Sequence, residues 1–428
     1  MTVKADIAGE IYVLKRWSEL SKSAKDECCN AIIDIATRRR LSIDEIYQLA
    51  LGLAMTGKIW KWNFEYFPIL DICSTGGPAS LSTLLSPLMA ATQGVLLAQL
   101  SVPGEIAGAI DTLGIIPEFK YKQTYNSIKA ILLESNIAFA LNSKELAPGD
   151  LHLFNLRSTR RAKDIPDLVI ASLLSKKIST GVNNSIIDIR VGPHGNFGKS
   201  YGEARGNCEK LVLVCRSLGM NCRCVLTNHF VSPMPYYGRA ESLKALFEII
   251  TGKISSEWLL QHLNTCAEIA AVAVALVKKS SLEGERLALR RSLKKGKVRD
   301  ILIRNLEAQG SSLKNLKMII NEANATNRMV MRTQVDGYFV GIDYGALQTL
   351  MKENAWDSES ESRAKSLVGL KLLIREGIQV RKGVNMLEIR GNPEILSKYT
   401  KIIEKIGVII ANKPEDEERP TYEVIAFG

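Results

Sequence analysis

At 428 residues, 46% hydrophobic and 24% charged, the chain has the composition of a globular protein with two or three domains, not of a disordered or fibrous one. No apolar run reaches the length of a bilayer span, the longest lying around 269–277, and Lys4, Asp6 and Glu10 interrupt the N-terminus before any signal-peptide core. The net charge of +11 invites an anionic partner, but the densest basic run, 286–299, has no aromatic for base stacking. Its leucines fit one side of a helix broken near Gly296, so a solvated helix face is expected there, not a nucleic-acid groove.

Residues 1–66 read as helices: 23–39 has helical spacing, and Ser42-x-x-Glu45 is a capping box opening the next. From Phe67 the pattern turns α/β. Short apolar strands at 69–72, 95–100, 138–141, 186–191, 211–214 and 223–227 alternate with helical stretches, the rhythm of a sheet covered by helices. An amphipathic helix over 168–178 ends at Gly181. Beyond residue 330 the glycine-punctuated run 369–383 reads as strand, turn, strand and announces a C-terminal α+β unit, with 413–420 as a charged loop. Of eight cysteines, Cys28-Cys29 and Cys222-x-Cys224 match no zinc spacing, and only four histidines exist to complete a site. No metal or cofactor is expected, and the thiols read as reduced in a cytoplasmic protein.

Three elements carry chemistry. The first is Ser74-Thr75-Gly76-Gly77, which follows the apolar run 67–70 and precedes Ser80, Ser82 and Thr83; small hydroxyls and bare amides there can converge on an anion. The second is Arg157. The third is the helix holding Ser172 and Lys176, four apart and so on one face. An arginine, a serine and a lysine converging on a planar ligand can address the two carbonyls and the N–H of a pyrimidine. They would also stabilise the negative charge that builds on a departing base.

In these residues, and in Ile116-Pro117-x-Phe119, Leu146-Ala-Pro-x-Asp150, Ala171-Ser-x-Leu-x-Lys-Lys177, Asp188-Ile-x-Val-Gly192 and Leu226-Thr-Asn228, the chain resembles the thymidine and pyrimidine-nucleoside phosphorylase family over nearly its whole length. The resemblance implies a small helical domain (1–66 with about 155–182) that holds the base and pairs a homodimer. It implies an α/β domain with a mixed sheet (67–154 with 183–329) across a cleft on the phosphate and sugar side, and a C-terminal α+β domain (330–428). It assigns the pyrimidine to Arg157, Ser172 and Lys176. Phosphate and sugar fall to Ser74, Thr75, Gly76, Gly77, Ser82, Thr83 and Ser101.

Departures from the family pattern fall on the phosphate side. Ile72-Cys73 replaces Lys-His, and the loop after Gly77 is a residue shorter. The glycine-rich phosphate run becomes 99–112, with Gln99 and Ala109 for its serine and threonine, and Ser101 and Glu105 for its arginine and histidine. Losing three or four charged hydrogen bonds of roughly 1.5–3 kcal/mol each leaves little affinity for free phosphate. Candidate catalytic groups are Cys73, Glu105 as a general base, and His194 in the glycine loop after Val191, with His152 as a second histidine. Three functions follow: cleavage of a pyrimidine nucleoside or nucleotide with a changed acceptor (water, another nucleophile or a substrate-borne phosphate); ordinary phosphorolysis; or nucleoside binding without chemistry.

Overall fold

Ser21 opens the first long helix by accepting from the Ala24 amide, and Ser42 and Glu45 close the expected capping box on the next. The computed structural model describes residues 7–63, 68–77, 79–101, 106, 108–142, 145–193, 195–351, 366–410 and 421–425. Along the first half run α1 (Ala8–Leu14), α2 (Lys22–Arg38), α3 (Ile43–Met55), β1 (Ile69–Ser74), α4 (Ser82–Ala91), β2 (Leu96–Ser101), α5 (Ala109–Leu113), α6 (Tyr125–Ser135) and β3 (Ile137–Leu141). Next come α7 (Pro148–Thr159), α8 (Pro166–Ser179), β4 (Asn184–Val191), α9 (Tyr201–Ser217), β5 (Asn221–Asn228), β6 (Tyr236–Tyr237), α10 (Arg239–Ile250) and α11 (Glu257–Lys278). The remainder holds α12 (Leu282–Lys294), α13 (Lys297–Ala308), α14 (Leu313–Ala325), β7 (Asn327–Arg332), β8 (Gly337–Ile342) and α15 (Tyr344–Met351). It ends with β9 (Gly369–Leu372), β10 (Gln379–Val380), β11 (Asn385–Gly391), α16 (Pro393–Lys398), α17 (Thr400–Ile403), β12 (Gly407–Ile410) and β13 (Tyr422–Ile425).

The main sheet has the order β13-β5-β4-β1-β2-β3, parallel except for β13. The chain lays β1, β2 and β3 outward in one direction, then returns to lay β4 and β5 on the other side of β1. That reversal opens a crevice beyond the carboxyl ends of β1 and β4, where sheets of this kind bind ligands. One face of β1 points Leu70 and Ile72 into the larger core with α4, α10 and α11. The other face turns Cys73 toward a second core, in which α1–α3, α7 and α8 pack with α9 against Ile187, Ile189 and Leu226. Helix α11 is long and apolar enough to cross a bilayer, but its run from Ile269 to Val274 is fully buried in the larger core.

One expected strand is a helix. Residues 211–214 lie inside α9, because Leu211, Val212, Val214 and Cys215 form the buried side of a helix opened by Ser200. Four apolar residues in a row suit a buried helix face as well as a strand. The basic run 286–299 divides between α12 and α13, which meet at left-handed Gly296 (φ +73). In the C-terminal part, β9 joins a four-stranded sheet (β6-β9-β11-β7) while β10 joins a three-stranded one (β10-β8-β12), so the strand-turn-strand of 369–383 is no hairpin. Strand β13 returns to the main sheet, and β6 pairs with β9, so the C-terminal part is tied to the rest of the chain at two places. The loop expected at 413–420 lies outside the described residues.

Asp167 in α8 ties the helical layer together. Its fully buried carboxylate accepts from Arg40 Nε and Nη2 (3.0 and 2.9 Å), the Leu41 amide (2.7 Å) and Lys210 Nζ of α9 (3.0 Å). Burial alone would raise this carboxyl, but these donors outweigh it and hold it below the usual range. Its stabilising contribution is therefore present above the ordinary carboxylate pKa and lost as pH falls. Asp167→Ala, which strands Arg40 and Lys210, is expected to cost about 3 kcal/mol in urea unfolding, whereas replacing exposed Arg16 leaves the midpoint in place.

Candidate active site

Strand β1 delivers the Ser74–Gly77 loop to the crevice. The Thr75 amide donates to the Asp188 carbonyl (3.0 Å), and Thr75 Oγ1 accepts from the Arg190 amide (3.1 Å), so the loop is latched to β4. Ser74 Oγ accepts weakly from the Gly76 amide (3.4 Å). Gly76 and Gly77 take φ of +94 and +136. A Cβ on Gly77 would lie in ordinary contact with Arg190, 3.4 Å from its Cδ and 3.7 Å from its Nη1, so it is the backbone conformation that demands glycine.

Beneath the loop, Asp188 is the centre of a buried network. Its Oδ1 accepts from Thr227 Oγ1 (2.6 Å), and its Oδ2 accepts from Ser82 Oγ (2.6 Å) and Arg190 Nε (3.1 Å). Arg190 Nη2 donates to Ser82 Oγ (2.9 Å), and Ser80 Oγ contacts Ser82 at 3.0 Å. Ser82, the first residue of α4, is thus occupied by protein partners; Thr83 beside it is half-buried. Sequence reasoning named Asp188 only as part of a motif and missed Arg190. Its one signal was its place inside Asp188-Ile-x-Val-Gly192, where strand alternation puts it on the Asp188 face.

The family's other anion contacts stand as follows. Ile72 is buried in the core. Gln99 is 3% exposed, and its Nε2 has no hydrogen-bond partner among the described residues. Ala109 begins α5, and half-buried Ser101 ends β2, its carbonyl accepting from the Asn142 amide (2.9 Å). Glu105 and His194 lie outside the described residues. His152 pairs with Asp26 (2.7 Å) on the α2 side, 5.5 Å from the Trp17 ring.

On the helical side the structure brings Ser172 and Lys176 together. Lys176 Nζ donates to Ser172 Oγ (2.9 Å) and to Asp150 Oδ2 (2.7 Å), while Asp150 Oδ1 is buried without a partner among the described residues. Arg157 is turned to other work. Its Nε, Nη1 and Nη2 donate to the carbonyls of Ala162, Leu168 and Lys163 (3.1, 3.3 and 2.7 Å), clamping the turn between α7 and α8. Burial lowers it to about 10, which leaves it a cation at neutral pH. Lys177 pairs with Asp71; burial pulls its ammonium down to about 8, so with that carboxylate in contact it too stays charged. Burial pushes the Cys73 thiol up to about 12, with Cys222 and Asp188 adding and Lys176 opposing, so it is protonated and poor as a base.

Lys176, Lys177 and Arg190 therefore each face a carboxylate of their own: Asp150, Asp71 and Asp188. Such a cleft suits a neutral planar ligand better than a free dianion.

Two outcomes check this geometry. At pH 8 the Cys73 thiolate fraction is on the order of 10^-4. Its alkylation by iodoacetamide, followed by peptide mass spectrometry, should run at least 100-fold slower than that of glutathione. Arg190→Met strands the Asp188 carboxylate and is expected to cost about 3 kcal/mol in urea unfolding, part of which returns in Arg190→Met/Asp188→Leu.

No family model matches the chain. The pyrimidine-nucleoside phosphorylase of Geobacillus stearothermophilus is 27% identical over 361 residues, covering 83% of this chain and 82% of that protein. The thymidine phosphorylase of Colwellia psychrerythraea is 22% identical over 384 residues, covering 89% and 86%. Among solved structures, anthranilate phosphoribosyltransferase from Thermus thermophilus has a TM-score of 0.53 at 15% identity, over 71% of this chain and 95% of that one, a likeness of fold. The helical layer beside an α/β layer agrees with that likeness, and the sequence relatives match most of the chain. Over most of its length the chain is similar in sequence to the thymidine and pyrimidine-nucleoside phosphorylases.

Proposed function

We propose that the protein is a pentosyltransferase that cleaves the N-glycosidic bond of a pyrimidine nucleoside or nucleotide and passes the sugar to an acceptor other than free inorganic phosphate. The observation that carries this reading is the pairing of the cleft's cations. Ser172 and Lys176 remain set for a planar base, while Lys176, Lys177 and Arg190 already hold carboxylates, and Ile72, Gln99 and Ala109 offer no charged donor. In the step, the C1′–N bond breaks and C1′ bonds to an oxygen of the acceptor. The base leaves with the bonding electrons, and the Lys176 ammonium stabilises that charge. The acceptor's proton needs a base; Glu105 is the carboxylate the sequence offers, and it stands outside the described residues. Water, another hydroxyl or a phosphate already on the substrate would each satisfy this chemistry.

Conventional phosphorolysis is the second reading. It is favoured by Arg190, a cation beneath Gly77 whose Nη1 has no hydrogen bond among the described residues. We also propose a cytoplasmic homodimer paired through the N-terminal helices; the eight free thiols support a reducing compartment.

Base release from uridine, thymidine and their 5′-monophosphates, followed by chromatography with and without phosphate, tests the reading. Release in phosphate-free buffer is expected, and strict phosphate dependence would transfer the conclusion to phosphorolysis. Tight nucleoside binding by calorimetry with no release under any condition would leave a binding protein without chemistry. Lys176→Met is expected to lower kcat/KM by about 100-fold, and Ser172→Ala to raise KM with a smaller change in kcat.

A further inference from the structure

Four thiols meet where α9 packs on β5. Cys222 and Cys224, two apart in the strand, point to the same face of the sheet. That face belongs to the second core, into which Cys208 and Cys215 project from the buried side of α9. The Cys222 sulfur meets the thiols of Cys215 and Cys224, and Cys224 also meets Cys208. The backbone fixes the first of these contacts. The Cys215 carbonyl accepts from the Leu218 and Met220 amides (3.1 and 2.9 Å), so the turn through left-handed Gly219 (φ +68) brings the start of β5 back beside the last turn of α9.

Of the four, Cys222 is set apart. It is half-buried next to exposed Asn221, whereas Cys208, Cys215 and Cys224 are closed to solvent. In register beside it lie Ser185 of β4 and then Asp71 of β1, the partner of Lys177. Hydrogen bonds from Cys215 and Cys224, with the Lys177 ammonium nearby, outweigh burial and hold the Cys222 thiol well below its usual range. One thiol is therefore both reachable and nucleophilic, and a second touches it.

Disulfide geometry selects Cys215 as the partner. Cys222 and Cys224 sit about 6.6 Å apart along one strand with parallel Cβ directions, at the outer limit for a disulfide. Cys224 is also held by pairing to β4 on one side and β13 on the other. Cys215 approaches from a helix end, across a glycine turn that can adjust.

We propose that Cys222 is a modification site for small hydroperoxides and that Cys215 resolves it to a disulfide. The Cys222 thiolate attacks one peroxide oxygen; an S–O bond forms, the O–O bond breaks, and the departing hydroxide takes a proton from solvent to leave as water. The Cys215 thiol then gives up its proton and attacks the Cys222 sulfur; the S–S bond forms, the S–O bond breaks, and hydroxide leaves with that proton as water. With hydrogen peroxide, two thiols and one peroxide become one disulfide and two waters, the sulfurs losing two electrons to the oxidant. This pair does not depend on the function proposed for the cleft.

The sequence makes the test direct, because trypsin places Cys215, Cys222 and Cys224 on separate peptides, 211–216, 217–223 and 224–239. The full chain is treated with hydrogen peroxide, quenched with catalase, blocked with N-ethylmaleimide in denaturant and digested without reduction for mass spectrometry. A 211–216/217–223 linked pair that dithiothreitol dissolves is expected, and Cys222 should be consumed about tenfold or more faster than the protonated thiol of Cys73. In Cys215→Ser, which leaves Cys222 without its resolving thiol, dimedone should trap a sulfenic acid on Cys222. In Cys222→Ser, Cys215 should stay free. Cys222 still fully blocked by maleimide after peroxide, a link from Cys222 to Cys224 in place of Cys215, or loss of Cys222 no faster than of Cys73 would overturn the proposal.

Discussion

The architecture of the site depends on one buried carboxylate. Asp188 stands where the sheet reverses direction, and it fixes residues from three separate elements: Ser82 at the start of α4, Thr227 at the end of β5 and Arg190 on its own strand. Its backbone carbonyl holds Thr75, so the same residue also latches the glycine loop. A charge so placed is costly to bury and is stable only with every lone pair answered. That requirement takes up the Ser82 hydroxyl and much of the Arg190 guanidinium. The loop is latched to β4 for this reason, and the Thr75 hydroxyl is turned to the protein itself.

The same logic extends across the crevice. Lys176 and Lys177 sit on one turn of α8, yet each faces a different carboxylate, Asp150 and Asp71. Arg157 is buried among carbonyls and sets the angle between α7 and α8. The cations that could draw a dianion into the crevice are thereby largely answered from within. A family resemblance carried by loop and helix spacing follows the shape and says less about the charge.

Much of this was legible in the sequence. Short apolar runs at 69–72 and 186–191 marked the central strands, Ser42-x-x-Glu45 marked a helix start, and Ser172 and Lys176 shared a face by spacing alone. The failures have physical causes. Residues 211–214 mimic a strand because four apolar residues fall in a row in α9, although Leu213 among them is exposed. Arg157 reads as a free cation, since a sequence does not show which backbone carbonyls a turn leaves unpaired. Arg190 joins the Asp188 network from β4, the strand next to β1 in the sheet, which no local motif reveals.

The central claim is that the sugar leaves the base without being captured by free phosphate. It is tested most directly by following the fate of the anomeric carbon. A pyrimidine nucleoside or nucleotide labelled with 13C at C1′ is incubated with the protein, and the product is read by NMR with and without phosphate. The account predicts one C1 signal, the same in both conditions, lacking the coupling to phosphorus of a sugar 1-phosphate unless the phosphate is the substrate's own. A product that forms only with added phosphate and carries that coupling would contradict it.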